Sequence, residues 1–399
     1  MKLTDAVVAD RFARVRSRMA ETGVDALLLS TGADLPWLTG YEAMPLERLT
    51  MLVVPAGGDA VLVIPRLEAP RVVEHPSFAV APWDETDDPI ALVADLLGPS
   101  NNPSAETVPS AETVSSAETV SSAETVSSAE TVAAIGDHTW GRFVVELLAA
   151  RPGLALRRGV DVTGPLRMVK DAAEIDALRR AAAAVDAIAV GLRDEQFSGR
   201  TEAELSRVIV ERMLAAGHER ANFSIVATGP NGASPHHDPT DRVIAPGDVV
   251  LCDFGGTMDG YCSDITRMFV VGAPGREVSA EVQDVYDVLV AAQEAGVQAG
   301  VPGAPCEAVD AATRAVITEG GYGEYFVHRT GHGIGTEEHE DPYMVAGNRL
   351  PLAPGHAYSV EPGIYLPRRF GMRLEDIVVC TPEGPERLTN APRDLAVVR

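Results

Sequence analysis

Short apolar runs, separated from one another by Gly, Pro or Asp, follow in succession in the first part of the chain. Residues 24–64 contain VDALLLS, LTMLVVP and DAVLVIP, and runs of this length between turn-forming residues are typical of β-strands. Amphipathic helical patterns flank these runs on both sides. The pattern therefore predicts a small α/β domain, which we place at residues 1–164.

Helix-start signals open the second part of the chain, residues 165–399. Asp171-Ala-Ala-Glu174 and Thr201-Glu-Ala-Glu204 are capping-box sequences, and apolar residues at helical spacing follow each of them. Further helices are predicted over 279–300 and 306–320. Strand-like runs alternate with these helices: FSIVAT, DVVLCDFGG, CSDITRMFVVG, HAYSVEPGIY and MRLEDIVVC. Helices grouped with antiparallel hairpins indicate an α+β catalytic domain rather than a doubly wound sheet.

A low-complexity segment interrupts the first domain. Five SAETV copies recur every six residues, from Ser104 to Ser128. A six-residue period matches no helical repeat, and one Val per copy supplies too little apolar surface for a core. We therefore predict a disordered insertion over 103–133 that is dispensable on the surface, while a functional spacer or phosphoacceptor tract remains the alternative.

Composition narrows the function classes. Acidic residues outnumber basic ones by 58 to 33, for a net charge of −25, which disfavours nucleic acid and anionic membranes as partners. The amino terminus lacks the apolar core of a signal peptide, and no apolar stretch is long enough to span a membrane. The expectation is a cytoplasmic protein. The four cysteines form no CxxC pair, so neither a disulfide framework nor a zinc knuckle is indicated.

Four acidic residues stand inside apolar, strand-like runs of the second domain. Asp253 lies in VVLCDF, and a hairpin whose turn is centred between Met258 and Asp259 would place Asp264 opposite it. Glu361 and Glu375 recur in the same kind of surroundings, in YSVEPG and MRLEDIVV. A single pair of acids is more commonly a solvated edge pair, but four carboxylates in such places need compensating charge.

Divalent cations provide that compensation. Two of them supply a charge of +4, which balances four clustered carboxylates. His332, in HRTGHGIG, adds a neutral imidazole, and its flanking glycines allow backbone and metal to approach closely. The same glycines could belong to a phosphate-binding loop, but no Lys-Ser/Thr follows them. The pattern therefore favours a metal site.

These motifs carry a family resemblance. DFGGTMDGYCSDITRMF, HRTGHGIGTEEHE, VEPGIY and RLEDIVV resemble, in that order, the motifs of the superfamily of methionyl aminopeptidase, aminopeptidase P and prolidase. PWLTGY resembles the family's amino-terminal domain more weakly. The resemblance is closest to bacterial Xaa-Pro dipeptidases and aminopeptidase P. It implies a creatinase/prolidase-like first domain followed by a pita-bread catalytic domain, and a homodimer.

The resemblance also implies a ligand set for two divalent metal ions. Asp264, His332 and Glu375 would bind one ion, with Glu361 beside His332, and Asp253 would bind the other together with Asp264 and Glu375. Manganese is the expected metal. Oxygen-rich ligation suits it, and cobalt, zinc or iron would also fit.

Three histidines match substrate-contacting positions of the family, namely His236, His328 and His339. His328 and His339 would donate hydrogen bonds to the developing oxyanion and the substrate carbonyl, and Glu361 would shuttle the proton. His237 adjoins His236, and we interpret it as a surface or supporting residue.

Arg373 and Tyr365 are the remaining substrate-binding candidates. Arg373 would either read the free carboxylate of a dipeptide or orient Glu375, and both readings stay open. Tyr365 would line an apolar pocket for proline. Thr266 would either hydrogen-bond a ligand carboxylate or be an ordinary strand residue.

The function implied by the resemblance is hydrolysis of the Xaa-Pro bond in proline-containing dipeptides or short peptides, through a metal-bridged hydroxide. An aminopeptidase P acting on longer peptides is the main alternative. Two others keep the fold: a metal-free creatinase-like C–N hydrolase and a non-catalytic binding module. The intact set of acids and histidine argues against both.

Overall fold

The protein divides into two compact units. The computed structural model describes residues 3–98, 131–272 and 278–399, and the division falls between Leu166 and Arg167, against 164/165 in the sequence analysis. Both units combine helices with sheets, which confirms the predicted α+β class. In the described ranges, no helix has the length and apolar character that crossing a membrane requires.

The first unit is built on a mixed six-stranded sheet with the order β4-β3-β2-β1-β5-β6. Its strands are β1 (Ala26–Leu29), β2 (Met51–Pro55), β3 (Ala60–Pro65), β4 (Phe78–Trp83), β5 (Thr131–Ile135) and β6 (Leu154–Arg158). Its helices are α1 (Asp5–Thr22), α2 (Asp34–Thr39), α3 (Pro89–Leu96) and α4 (Gly141–Ala150), and α5 (Val160–Met168) contains the division between the units. Strands β1 to β3 confirm the three apolar runs predicted there.

Strand β5 corrects the predicted limit of the repeat insertion. It pairs with β1 and β6 in parallel, so residues 131–133 are ordered in the sheet and not part of a disordered segment. The two strands on either side supply hydrogen-bond partners that composition alone does not reveal. The rest of the predicted insertion, up to residue 130, lies outside the described residues.

Local end signals placed the helices of the second unit correctly. Both predicted capping boxes are formed, with the side chains of Asp171 and Thr201 each accepting a hydrogen bond from the third residue of its helix. The helices are α6 (Ala172–Leu192), α7 (Glu202–Ala215), α8 (Ala280–Ala299) and α9 (Cys306–Glu319).

Two larger sheets and one hairpin carry the strands of the second unit. The first sheet has the order β18-β10-β8-β7, with β9 beside β8, the second has the order β12-β11-β13-β16-β17, and β14 pairs with β15. The strands are β7 (Arg220–Thr228), β8 (Val249–Met258), β9 (Tyr261–Cys262), β10 (Ile265–Val271), β11 (Gly331–Gly333), β12 (Glu340–Met344), β13 (Ala357–Val360), β14 (Gly363–Leu366), β15 (Phe370–Arg373), β16 (Asp376–Thr381), β17 (Gly384–Arg387) and β18 (Ala396–Val398).

Alternation along β8 buries both of its faces. Val250, Cys252 and Phe254 pack into one hydrophobic cluster with residues of α6 and α7, while Val249 and Leu251 pack into another with residues of α8. Asp253 follows Leu251 at the two-residue period of a strand, so its side chain points toward the second face. A carboxylate is thereby held at a position that is otherwise apolar.

The hairpin turn lies one residue later than expected. Asp259 and Gly260 occupy the turn with φ of 53° and 78°, and Asp253 pairs with Thr266 instead of Asp264. The expected register was wrong because the Asp-Gly pair, which favours two positive φ angles, sets the centre of the turn. Asp264 then lies two residues from Thr266 along the partner strand, diagonal to Asp253.

Candidate metal centre

Four buried or half-buried carboxylates lie in or beside strands of the second unit. Asp253 lies within β8 and Asp264 just before β10, and they are 7% and 4% exposed. Glu361 and Glu375 lie in breaks between strands, after β13 and before β16. The runs HAYSVEPGIY and MRLEDIVVC were each expected to be one strand, but Pro362 has no N–H for a ladder and both runs are interrupted at the glutamate.

His332 brings an imidazole to these acids. Its Nε2 lies 3.2 Å from Oε1 of Glu361 and 3.8 Å from Oδ2 of Asp264. Its Nδ1 donates to the carbonyl of Gly333 at 3.1 Å, which leaves Nε2 as the ligand atom. Ligand atoms of Asp264, His332 and Glu375 all lie within 4.8 Å of one another.

Three carboxylate oxygens of this cluster are buried without a hydrogen-bond partner among the described residues: Asp253 Oδ1, Asp264 Oδ1 and Glu375 Oε1. Buried polar atoms are almost always paired, and an isolated buried anion is costly. Bound cations would pair these oxygens, and carboxylates with one imidazole are donors that divalent transition metals accept. The residues present therefore fit divalent metal ions.

The electrostatics of the cluster point the same way. Burial, together with the charges of Glu375, Asp253 and Glu361, raises the pKa of Asp264 well above its usual value. Burial and the same kind of repulsion raise the pKa of Glu375. These acids resist ionisation until positive charge is placed among them.

Arg373 is enclosed by groups of the protein. Its Nη2 donates to Oδ2 of Asp253, its Nε donates to the hydroxyl of Thr266 at 3.2 Å, and its Nη1 donates to the hydroxyl of Tyr365 at 2.8 Å and to the carbonyl of Pro235 at 3.2 Å. The hydroxyl of Thr266 in turn donates to Oε2 of Glu375 at 2.8 Å. These contacts correspond to the orienting role considered for Arg373, and Thr266 does bond a candidate ligand.

His328 forms hydrogen bonds through both ring nitrogens. Nδ1 lies 2.7 Å from the carbonyl of Arg329, which can only accept, so Nδ1 is the donor. Burial lowers the pKa of His328, and in the neutral ring Nε2 accepts from the hydroxyl of Tyr365 at 2.8 Å. In this arrangement His328 has no N–H left for an oxyanion, contrary to expectation, and Tyr365 is held by its hydroxyl.

His339 and His236 are the more accessible of the candidate histidines. Both are exposed, and the ring of His339 packs 3.9 Å from that of His332. Where the ring of His339 packs against His332 it is removed from water, and this desolvation lowers the pKa of His339 to about 4; the charge effect of His332 acts in the same direction. His236 is close enough to affect electrostatically both His328 and His339. Both rings are therefore accessible to solvent.

Family comparison agrees with this site. Residues 173–382 match the model of metallopeptidase family M24, and residues 11–141 match the creatinase/prolidase N-terminal domain. The chain belongs to metallopeptidase family M24. It is therefore a metallopeptidase, and the predicted family is confirmed.

Relatives with names or solved structures match nearly the whole chain. A probable dipeptidase PepE of Mycobacterium tuberculosis is 41% identical over 98% of this chain and 97% of its own length. An Xaa-Pro dipeptidase of Lactobacillus helveticus is 29% identical over 96% and 98%. The crystal structure of dipeptidase PepE from Mycobacterium ulcerans superposes with a TM-score of 0.85 at 40% identity and covers 100% of both chains. A prolidase from Thermococcus sibiricus superposes with a TM-score of 0.85 at 34% identity and covers 99% of both chains.

One supporting residue of the M24 site was missed from the sequence. The hydroxyl of Ser359 donates to Oε1 of Glu361 at 3.1 Å and accepts from the backbone N–H of His332 at 3.0 Å. It thereby ties two candidate ligands together. The two-residue spacing between Ser359 and Glu361 was an available signal, because residues i and i+2 of a strand share a face.

Proposed function

We propose that this M24 metallopeptidase hydrolyses the Xaa-Pro bond of dipeptides, using two divalent ions, preferably manganese. Asp264, His332 and Glu375 would hold one ion with Glu361 beside His332, and Asp253 would share in holding the other. The orphaned buried oxygens of Asp253, Asp264 and Glu375 are the observation that carries this proposal. The relatives named as dipeptidases and prolidases support the substrate class.

The protein's own groups have separate roles in this reaction. When bound, the metal ions supply Lewis-acid polarisation of the scissile carbonyl and make water reactive at neutral pH. Glu361, whose Oε1 lies 3.2 Å from Nε2 of His332, can accept a proton from the attacking water. It then delivers that proton to the leaving proline nitrogen.

Two exposed histidines stabilise the developing charge. His339 and His236 donate hydrogen bonds to the substrate carbonyl and its oxyanion, because their donors are accessible. Arg373 orients Asp253 and, through Thr266, Glu375. Tyr365 completes this scaffold between Arg373 and His328. We also propose that the chain acts as a cytoplasmic homodimer on short peptides.

Substrate length tests this function directly. The dipeptidase assignment predicts a higher kcat/KM for Ala-Pro than for Ala-Pro-Ala with manganese present. Equal or better cleavage of the tripeptide would favour an aminopeptidase P. Cleavage of neither peptide, in protein that retains bound metal, would contradict the Xaa-Pro function itself.

A further inference from the structure

Glu202 is a buried carboxylate outside the metal centre, at the first position of α7. Its side chain is 0% exposed. One oxygen accepts from the backbone N–H and hydroxyl of Thr228, at 2.8 and 2.7 Å, and the other from the N–H and hydroxyl of Thr240, at 3.1 and 2.6 Å. The amide of Asn231 donates to both oxygens, and Nε2 of His237 lies 2.9 Å from the second.

These partners all belong to one segment, residues 228–240, which carries His236. Glu202 thus ties both ends of the segment and the residue next to His236 to the start of α7. A carboxylate offers only acceptors, and every group facing it here is a donor. A glutamine would turn an NH₂ group toward some of those donors.

The opposite side of the segment is fixed against the metal centre. The carbonyl of Pro235 accepts from Arg373, whose guanidinium also holds Asp253. Gly232 lies so close to Gly371 of β15 that a Cβ on Gly371 would come 1.9 Å from the Gly232 carbonyl oxygen. His236 is therefore placed between a contact to Arg373 at residue 235 and a contact to Glu202 at residue 237.

Helix capping does not account for Glu202. Acidic residues in the first turn of a helix commonly stabilise its exposed N–H groups. In α7 that role is filled by the reciprocal capping box of Thr201 and Glu204. The carboxylate of Glu202 is directed instead to the segment.

We infer that Glu202 is a positioning residue, which acts through its contacts with residues 228–240 to hold His236 where it meets the substrate. This inference rests on the proposed function, because it requires His236 to contact an Xaa-Pro substrate. Misplacing a contacting group by about 1 Å can lower the rate about 100-fold. Loss of Glu202 should therefore impair turnover through His236 and not through the metal ions.

A double-mutant cycle tests the inference. Glu202→Gln is made in the wild-type protein and in the His236→Ala variant. Glu204→Gln is the matched control, because Glu204 is exposed and lies two residues away. The glutamine at 204 still offers an acceptor for the backbone N–H of Thr201. We expect Glu202→Gln to lower kcat/KM for Ala-Pro by about 10–100-fold in the wild type and by less than about 3-fold in His236→Ala. Bound manganese per chain should stay unchanged, and Glu204→Gln should resemble the wild type.

Several results would overturn the inference. Equal losses in both backgrounds, unchanged kinetics of Glu202→Gln, or wild-type kinetics of His236→Ala would each do so. If Glu202→Gln does not fold, His237→Ala removes one hydrogen bond to Glu202 at a half-buried site. The inference then requires His237→Ala to lower kcat/KM less in the His236→Ala background than in the wild type. Failure of the proposed function is distinguishable, because wild-type protein would then fail to cleave Ala-Pro at all.

Discussion

Thr266 links two charged groups of the metal centre through one hydroxyl. The hydroxyl accepts from Arg373 and donates to Glu375. Both contacts are buried, and Thr266 itself is 0% exposed. Groups that bond a ligand carboxylate from behind fix its orientation and tune its affinity for metal.

Thr266→Val removes this link while keeping the β-branched shape. We expect manganese affinity to fall by about 10–100-fold, the usual effect of losing such a supporting group. The dissociation constant, measured by calorimetric titration of chelated protein, checks this. Thr381→Val is the matched control, since that hydroxyl bonds Glu383 and Gly384 at the end of β16. Equal affinities for the wild type and Thr266→Val would contradict the supporting role.

Arg373→Lys should impair dipeptide and tripeptide cleavage to a similar degree. An ammonium cannot reproduce a planar fork that donates to Asp253, Thr266, Tyr365 and Pro235. The kcat/KM values for Ala-Pro and Ala-Pro-Ala, each relative to wild type, measure the effect. A loss confined to the dipeptide would instead assign Arg373 to the substrate carboxylate.

The residue types of the centre are readable from the sequence, but the roles of Arg373 and His328 are not. Acids in apolar runs and a glycine-flanked histidine are visible in the chain itself. The contact that occupies Arg373 is with Asp253, 120 residues earlier, and His328 is bonded by Tyr365, 37 residues later. Such partners depend on tertiary distances, so the free-carboxylate role of Arg373 and the donor role of His328 could not be tested from the sequence.

Elements whose signals are local were predicted most closely. The capping boxes before α6 and α7 place both helix starts correctly. The interruption at Glu361 follows from Pro362, a local signal that was overlooked. At Glu375 the backbone N–H bonds the carbonyl of Thr266 in another sheet, a tertiary contact that the sequence does not reveal. The turn at Asp259-Gly260 was misplaced, although the Asp-Gly pair is itself a hairpin signal and would have given the observed register.

The limit of β5 makes deletion of the repeat sensitive to its end point. Removing residues 104–132 would put Pro103 in the place of Val132, whose N–H donates to the carboxylate of Asp25 at 2.8 Å, and proline has no N–H to donate. Removing 104–130 leaves β5 whole. Five residues then join Gly98 to Thr131. The two ends lie near the same place in the fold, because the carbonyl of Gly98 accepts from Arg151 and Thr131 pairs with Leu154 at the start of β6.

We expect the 104–130 deletion to melt and turn over as the full chain does, and the 104–132 deletion to melt several degrees lower. Each lost hydrogen bond contributes about 1 kcal/mol, which corresponds to about 2–4 °C in a unit of this size. Thermal melts and Ala-Pro turnover of the two variants measure this. Equal melting temperatures would show that the first residues of β5 contribute little.

Stability of the whole molecule should respond to acid through Glu202. Burial opposes its ionisation, but hydrogen bonds from Thr240, His237, Thr228 and Asn231 outweigh this and lower its pKa from 4.5 to about 2. A carboxyl group that is more acidic in the folded state stabilises the fold above its unfolded pKa, and this contribution is lost as pH falls from 4.5 toward 2. Glu202→Gln lacks the contribution at every pH.

The melting temperatures of chelated wild type and Glu202→Gln, followed from pH 7 to pH 3, should therefore converge below about pH 4.5. At neutral pH the wild type should melt higher. Glu204→Gln serves as the control for removing an acid from the same helix turn. A gap that stays constant down to pH 3 would mean that the Glu202 carboxylate is not the stabilising group.

Metal dependence is the property of the whole molecule on which the account rests. The centre holds Asp264, Glu361 and Glu375 near His332, with Asp253 beside the other acids, and positive charge is what their burial requires. The most direct measurement is Ala-Pro turnover by chelated protein as manganese is titrated back. Asp264→Asn is compared with Asp259→Asn, the same change at a half-buried turn residue outside the metal centre. We predict no turnover without metal, saturation near two ions per chain, wild-type behaviour of Asp259→Asn and no recovery of Asp264→Asn. Full turnover by the chelated wild type, or by Asp264→Asn, would contradict the account.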